Sequence, residues 1–164
     1  MIVPLFLLPV LAASVGRTQE ESSDARELNF REYVTLLRAD LKAQRKDIIN
    51  TIMQFSDTDA AKFWPIFKEY DAELTKIGDG RTQLVVDYAR NYETLTDEQA
   101  DALMSKAFEL EAQRAVLRKK CFDKMKTTLS ATQATKFFLV ENQIQNIVDL
   151  QISAALPVVQ TASN

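Results

Sequence analysis

Between Arg17 and Leu156 the chain contains one proline, Pro65, and two glycines, Gly78 and Gly80. A stretch so poor in breakers is written for long, uninterrupted elements, and its many Ala, Leu, Gln, Glu, Lys and Arg residues make those elements helices. No segment alternates apolar and polar residues with period two, so no strand is expected. The starts of two helices are spelled alike, LTDEQ at 95–99 and LSATQ at 129–133. Ser or Thr followed three residues later by Gln is a capping box. The hydroxyl accepts from the third residue's backbone N–H, and the glutamine side chain reaches back to the N–H of the cap. Thr96 with Gln99, and Ser130 with Gln133, each mark such a start, with Leu95 and Leu129 in the preceding staple position. Asp97 and Glu98 suit the positive end of the helix dipole. A weaker copy, FSDTD at 55–59, offers Ser56 as the cap and the shorter Asp59 in place of Gln.

Apolar spacing fills in the helices. In the first, capped by Asp24 and Glu27, the series is Phe30, Val34, Leu37, Leu41, Ile48, Ile52 and Phe55, with Gln44 as a polar entry. The second carries Phe67, Tyr70, Leu74, Ile77, Arg81, Leu84 and Tyr88. Pro65 removes a backbone bond about two turns in and should kink or break this helix. Because the apolar phase runs through Gly78 and Gly80 without a slip, one helix roughly 50 Å long is expected. The third has two neighbouring stripes, Leu103, Ala107, Leu110, Leu117 and Cys121 beside Met104, Phe108, Ala115, Phe122 and Met125. A face that wide serves two neighbours. The fourth has Phe137, Val140, Ile144, Ile147, Val148, Ile152 and Ala155, with Phe138, Leu139 and Leu150 off the stripe. Four helices near 25–54, 57–92, 96–128 and 130–155 result, and the short connections force antiparallel neighbours. The expected fold is all-α, built on a long antiparallel helical hairpin. The wide third helix and the off-stripe residues of the fourth predict an antiparallel homodimer that covers them.

With 46% hydrophobic and 26% charged residues, the chain suits one soluble domain. Residues 1–16, MIVPLFLLPVLAASVG, carry no charged side chain and end in small residues. The run is short for a bilayer span and reads as a signal peptide cleaved near Ser14 or Gly16, an uncleaved anchor being the alternative. The expected layout is a signal peptide at 1–16, a flexible linker at 17–26, a helical domain at 27–156 and a C-terminal tail at 157–164, in an exported, periplasmic protein with no stable membrane insertion of the mature chain.

The composition also excludes chemistry. The chain has no histidine, which removes the commonest general base and transition-metal ligand. Cys121 is the only cysteine, so no internal disulfide forms, and it reads as a small apolar residue on a helix face. No Gly-rich loop is present to cradle phosphate. The acidic clusters fall in first turns, where the dipole accounts for them. Neither catalysis nor a cofactor or metal is expected, and a net charge of −3 argues against nucleic acid as a partner.

Two charge features remain. RAVLRKKCFDKMK sets Arg114, Arg118, Lys119, Lys120, Lys124 and Lys126 against Asp123, a local net of +5 (6 − 1). It is either a solvated helix end favoured by the dipole or a basic surface that draws acidic or unfolded partners. Arg114, Arg118 and Glu111 also fall within the apolar face of the third helix, as Glu141 does on the fourth. These make either interhelix ion pairs, such as Glu141 with one of the two arginines, or an amphiphilic surface open to solvent.

A helical chain of this size with LTDEQ and LSATQ opening its later helices resembles the Spy/CpxP family of periplasmic proteins, known for paired LTxxQ motifs. The resemblance spans residues 27 to 156. It implies a long bent hairpin that dimerises into a cradle. It further implies an ATP-independent chaperone for unfolding envelope proteins, with a concave surface that is basic and studded with apolar patches. Under that reading the six basic residues of 114–126 supply the client-binding surface. Metal-sensing relatives use His, which this chain lacks. The alternative is a stress-signalling or structural adaptor that docks on one partner, such as a sensor kinase.

Overall fold

The computed structural model describes residues 28–29, 31–34, 36, 39–40 and 44–154, which are helical apart from short connections, with no strand among them. The expectations for the signal peptide, the linker, the Asp24–Glu27 cap, Phe30, Leu37, Leu41, Ala155 and the tail lie outside the described residues. α1 covers residues 44–53. It is followed by α2 (Asp57–Asn91), α3 (Asp97–Thr128) and α4 (Ala131–Ala154).

α2 runs unbroken for 35 residues through Pro65, Gly78 and Gly80, a length of about 50 Å. Pro65 forfeits the bond to the carbonyl of Ala61 without ending the helix. Ser56 caps α2 by accepting from the N–H of Asp59 at 3.2 Å. The turn before it is made by Gln54, whose φ of 49° is the left-handed conformation that ends helices.

The two similar spellings do different things. At α3 the box closes: Gln99 N–H donates to Thr96 Oγ1 at 3.3 Å, and Thr96 N–H donates to Gln99 Oε1 at 3.0 Å. Replacing Thr96 with Ala should therefore cost about 1 kcal/mol in chemical denaturation; an unchanged midpoint would show that the cap adds nothing. At α4 only half of the box forms. Gln133 N–H donates to Ser130 Oγ at 3.1 Å, but the glutamine Nε2 turns away to Asp59 Oδ2 at 2.9 Å. The second motif thus starts a helix and ties that start to the first turn of α2, the site of the weaker third copy.

Cross-links between elements give the topology. Arg31 meets Gln83 and Arg45 meets Asp71, so the leading helical residues run antiparallel to α2. α3 runs antiparallel to α2, with Lys124 on Glu69 at one end and Leu110 over Gly80 nearer the other. A Cβ on Gly80 would stand 3.0 Å from Leu110 Cδ2, so the missing side chain lets the two helices approach. α4 folds back along α3 and points the same way as α2. It has no close backbone approach to α2, and long side chains bridge the interval.

That interval is filled unevenly. At the end where α4 begins, Phe63, Tyr70, Met125, Ala134 and Phe137 form the core with Ile49 and Met53 of α1. Phe63 and Phe137 meet edge to face with centroids 5.1 Å apart, and Phe67 and Phe138 extend the aromatic cluster. Toward the other end the buried residues thin out to Ile77, Val86, Leu110 and Val34.

Several sequence expectations are corrected here. The buried stripe of α1 is Arg45, Ile49 and Met53, not Ile48 and Ile52, because an arginine occupies a core position and the sequence phase was read around it. Phe138, expected off the stripe, packs against Tyr70 and Phe122. Ile147, expected inside, is exposed, whereas Leu139 and Leu150 are exposed as expected. On α3 the second stripe splits. Phe122 and Met125 pack inward, while Met104 and Phe108 face solvent at 52% and 62% exposure. Phase accounts for Phe108, which lies on the side of α3 away from buried Leu110 and Cys121 and in line with exposed Lys126. Arg114 lies opposite Asp149.

Candidate functional site

The basic stretch occupies the second half of α3, and its six cations part into two groups. Arg114 and Arg118 turn toward α4. Arg114 Nη1 donates to Asp149 at 2.8 Å, and Arg118 Nη2 donates to Asn142 at 3.2 Å. Their place among the apolar positions is therefore that of interhelix links. The four lysines are exposed. Lys119 pairs with Asp123 one turn on, and Lys124 with Glu69 of α2 at 2.5 Å. Lys126 sits over the Phe122 ring at 5.9 Å. The lysine hydrogen bonds hold the carboxyls of Glu69 and Asp123 below the usual range. Being solvent-exposed, these pairs contribute little stability. The lysines thus form a wet surface, partly neutralised by one carboxylate of their own helix and one from α2.

Uncovered apolar side chains lie elsewhere on the same hairpin. Met104, Phe108 and Val116 are exposed on α3, and Leu139, Ile147 and Leu150 on α4. Leu139 and Leu150, eleven residues apart, share a face turned away from buried Phe137, Val140 and Ile144, and Ile147 lies at the edge of the buried stripe.

The expected link from Glu141 to an α3 arginine is overturned. Glu141 is fully buried and is held by Arg45 through two bonds, Nη2 to Oε1 at 2.5 Å and Nε to Oε2 at 3.1 Å. Tyr70 Oη and Gln145 Nε2 also donate to it, each at 3.1 Å. Arg45 reaches on to Asp71 at 2.5 Å and stacks over Phe67 at 5.0 Å. Burial, with the Glu141 charge second, pushes the Tyr70 hydroxyl well above its ordinary value. The hydroxyl therefore stays protonated as a donor. Every group in this network is committed to another, which suits an interhelix lock and not a proton-transfer site. Sequence reasoning missed Arg45, Tyr70 and Asp71 as a set. The available signal was a lone Arg one turn before Ile49 and Met53.

Cys121 is buried in the aromatic core, and burial pushes its thiol up to about 12, leaving it protonated and unreactive at neutral pH. Among the described residues no group of three or more Cys, Asp or Glu side chains converges to hold a metal, and no helix is long and apolar enough to cross a membrane. No protein-family model, curated protein or solved structure matches the chain.

Proposed function

We propose that this protein holds unfolded or partly folded protein segments without ATP, as an exported, periplasmic homodimer of the Spy/CpxP kind. The observation that carries the reading is the pairing, on one helical hairpin, of exposed lysines with exposed apolar side chains. Lys119, Lys120, Lys124 and Lys126 supply long-range attraction for acidic client segments, which speeds encounter. Met104, Phe108 and Val116 then give modest apolar contact, scattered enough to let the client go. Arg114 and Arg118 drop out of the capture surface, since α4 occupies them. Reversing the four lysines to Glu should leave the helical circular-dichroism signal unchanged and weaken suppression of aggregation for two unrelated denatured substrates. Salt at ~1 M should do the same to the wild type by screening. Full protection by the reversed protein at low salt would reduce the lysines to a solvated helix end.

The partial neutralisation of Lys119 and Lys124 favours a second reading, an adaptor that docks on one partner. An adaptor would protect neither substrate. In both readings the uncovered Leu139, Ile147 and Leu150 support pairing with a second copy. Sedimentation at micromolar concentration should then give about twice the chain mass, and a monomer throughout that range would remove the homodimer.

A further inference from the structure

We propose that the interval between α2 and α4, running from the Arg45–Asp71 pair away from the aromatic core, binds a free single-chain amphiphile with a monoanionic head. A cavity of about 300 Å³ opens there, within the range of small-molecule sites. Its walls are mainly apolar, with Leu74, Ile77 and Val85 from α2 facing Ile144, Val148 and Ile152 from α4. Such a wall takes an alkyl chain, with the polar side chains of the lining left for a head group.

The polar groups at its rim are not balanced locally. Arg45 is matched by Asp71 and Glu141, two carboxylates on one guanidinium. At the other side Arg81 and Arg114 share a single carboxylate, Asp149, at 2.6 and 2.8 Å. That corner carries a net charge of +1 from two cations and one anion. Arg114 is also left with its Nε buried and without a hydrogen-bond partner among the described residues. Arg114 Nη2 also donates to Gln145 Oε1 at 3.4 Å, so the unmet group is the buried Nε–H, which is costly to leave unpaired and which a carboxylate or sulfonate oxygen would relieve with a charge-assisted bond. Two arginines on one aspartate, beside apolar walls, therefore select an anionic head on an apolar chain. A cationic head would meet Arg81 and Arg114, and a neutral head would leave the imbalance in place. These side chains are distinct from the lysine surface, so the cavity can be occupied while the lysines are free.

The test is calorimetry of the full chain with decanoate, decanol and decyltrimethylammonium, each below its micelle concentration. Decanoate should bind at one per chain and at least about tenfold more tightly than either of the others. Arg114→Gln should lower decanoate affinity about tenfold and leave decanol unchanged, and Arg81→Gln serves the same purpose if the first variant loses helicity. Val148→Trp, which fills the cavity, should abolish binding of all three. Equal affinity for decanoate and decanol, no binding of any probe, or decanoate binding that survives Val148→Trp would each overturn the assignment.

Discussion

Replacing Glu141 with Leu should cost the protein about 3–5 kcal/mol, near the largest effect of any single polar substitution in the fold. Glu141 is fully buried and Arg45 is 8% exposed, so neither can turn to water when its partner disappears. The variant leaves Arg45 with Asp71 alone, and Tyr70 and Gln145 each lose an acceptor. The cost measured is that of stranding a buried charge, not the net worth of the pair. Replacing both members separates the two quantities. Arg45→Met combined with Glu141→Leu should recover most of the loss, because a well-packed apolar pair of similar volume is often neutral or better. Urea denaturation of Glu141→Leu, Arg45→Met, the double variant and the parent completes the cycle. A loss below about 1 kcal/mol for Glu141→Leu would mean that water reaches Arg45, contrary to the network described above.

Phe137→Ala should be comparably severe, and Phe108→Ala nearly silent. Phe137 is 1% exposed and touches the rings of Phe63, Phe67, Tyr70 and Phe138. Truncation removes its buried area and opens a cavity among stiff aromatic neighbours that collapse poorly, at a cost of about 3–5 kcal/mol. In a chain of this size that lowers the melting temperature by roughly 6–20 °C. Phe108, already in water, should change stability by no more than about 0.5 kcal/mol. Thermal melts of the two variants check the ranking. Similar melting temperatures would place the stabilising core elsewhere along the hairpin.

The fold was legible where local chemistry sets it. The boundaries of α2, α3 and α4 fall within a residue or two of the expected ones, because Ser56, Thr96 and Ser130 are caps that act over three residues. The continuity of α2 through two glycines was legible because the phase of buried Tyr70, Leu74 and Ile77 resumes beyond them at Arg81, Leu84 and Tyr88, which are half-buried. Illegible were matters settled by distant partners. Arg45 belongs to the core only because Glu141, 96 residues on, and Asp71, 26 residues on, converge on it. A series built from apolar residues alone passes over Arg45 and settles on Ile48 and Ile52. The lysine run was plain in the sequence, but Glu69, which answers Lys124, comes from another helix 55 residues away. Phe108 was assigned to a second buried stripe, but it lies on the side of α3 away from buried Leu110 and Cys121.

The uneven filling of the hairpin has a mechanical meaning. One end is clamped by stacked rings and by the Gln133–Asp59 tie between two helix starts. The other, around the Asn91–Asp97 turn, has few buried side chains among the described residues. A beam fixed at one end bends most at its free end. Small opening motions there break few apolar contacts, so they lie at the low end of the free-energy scale for local fluctuation. Met104 and Phe108 ride on that compliant end, where they can shift to meet partners of differing shape while the clamped end keeps the helices in register.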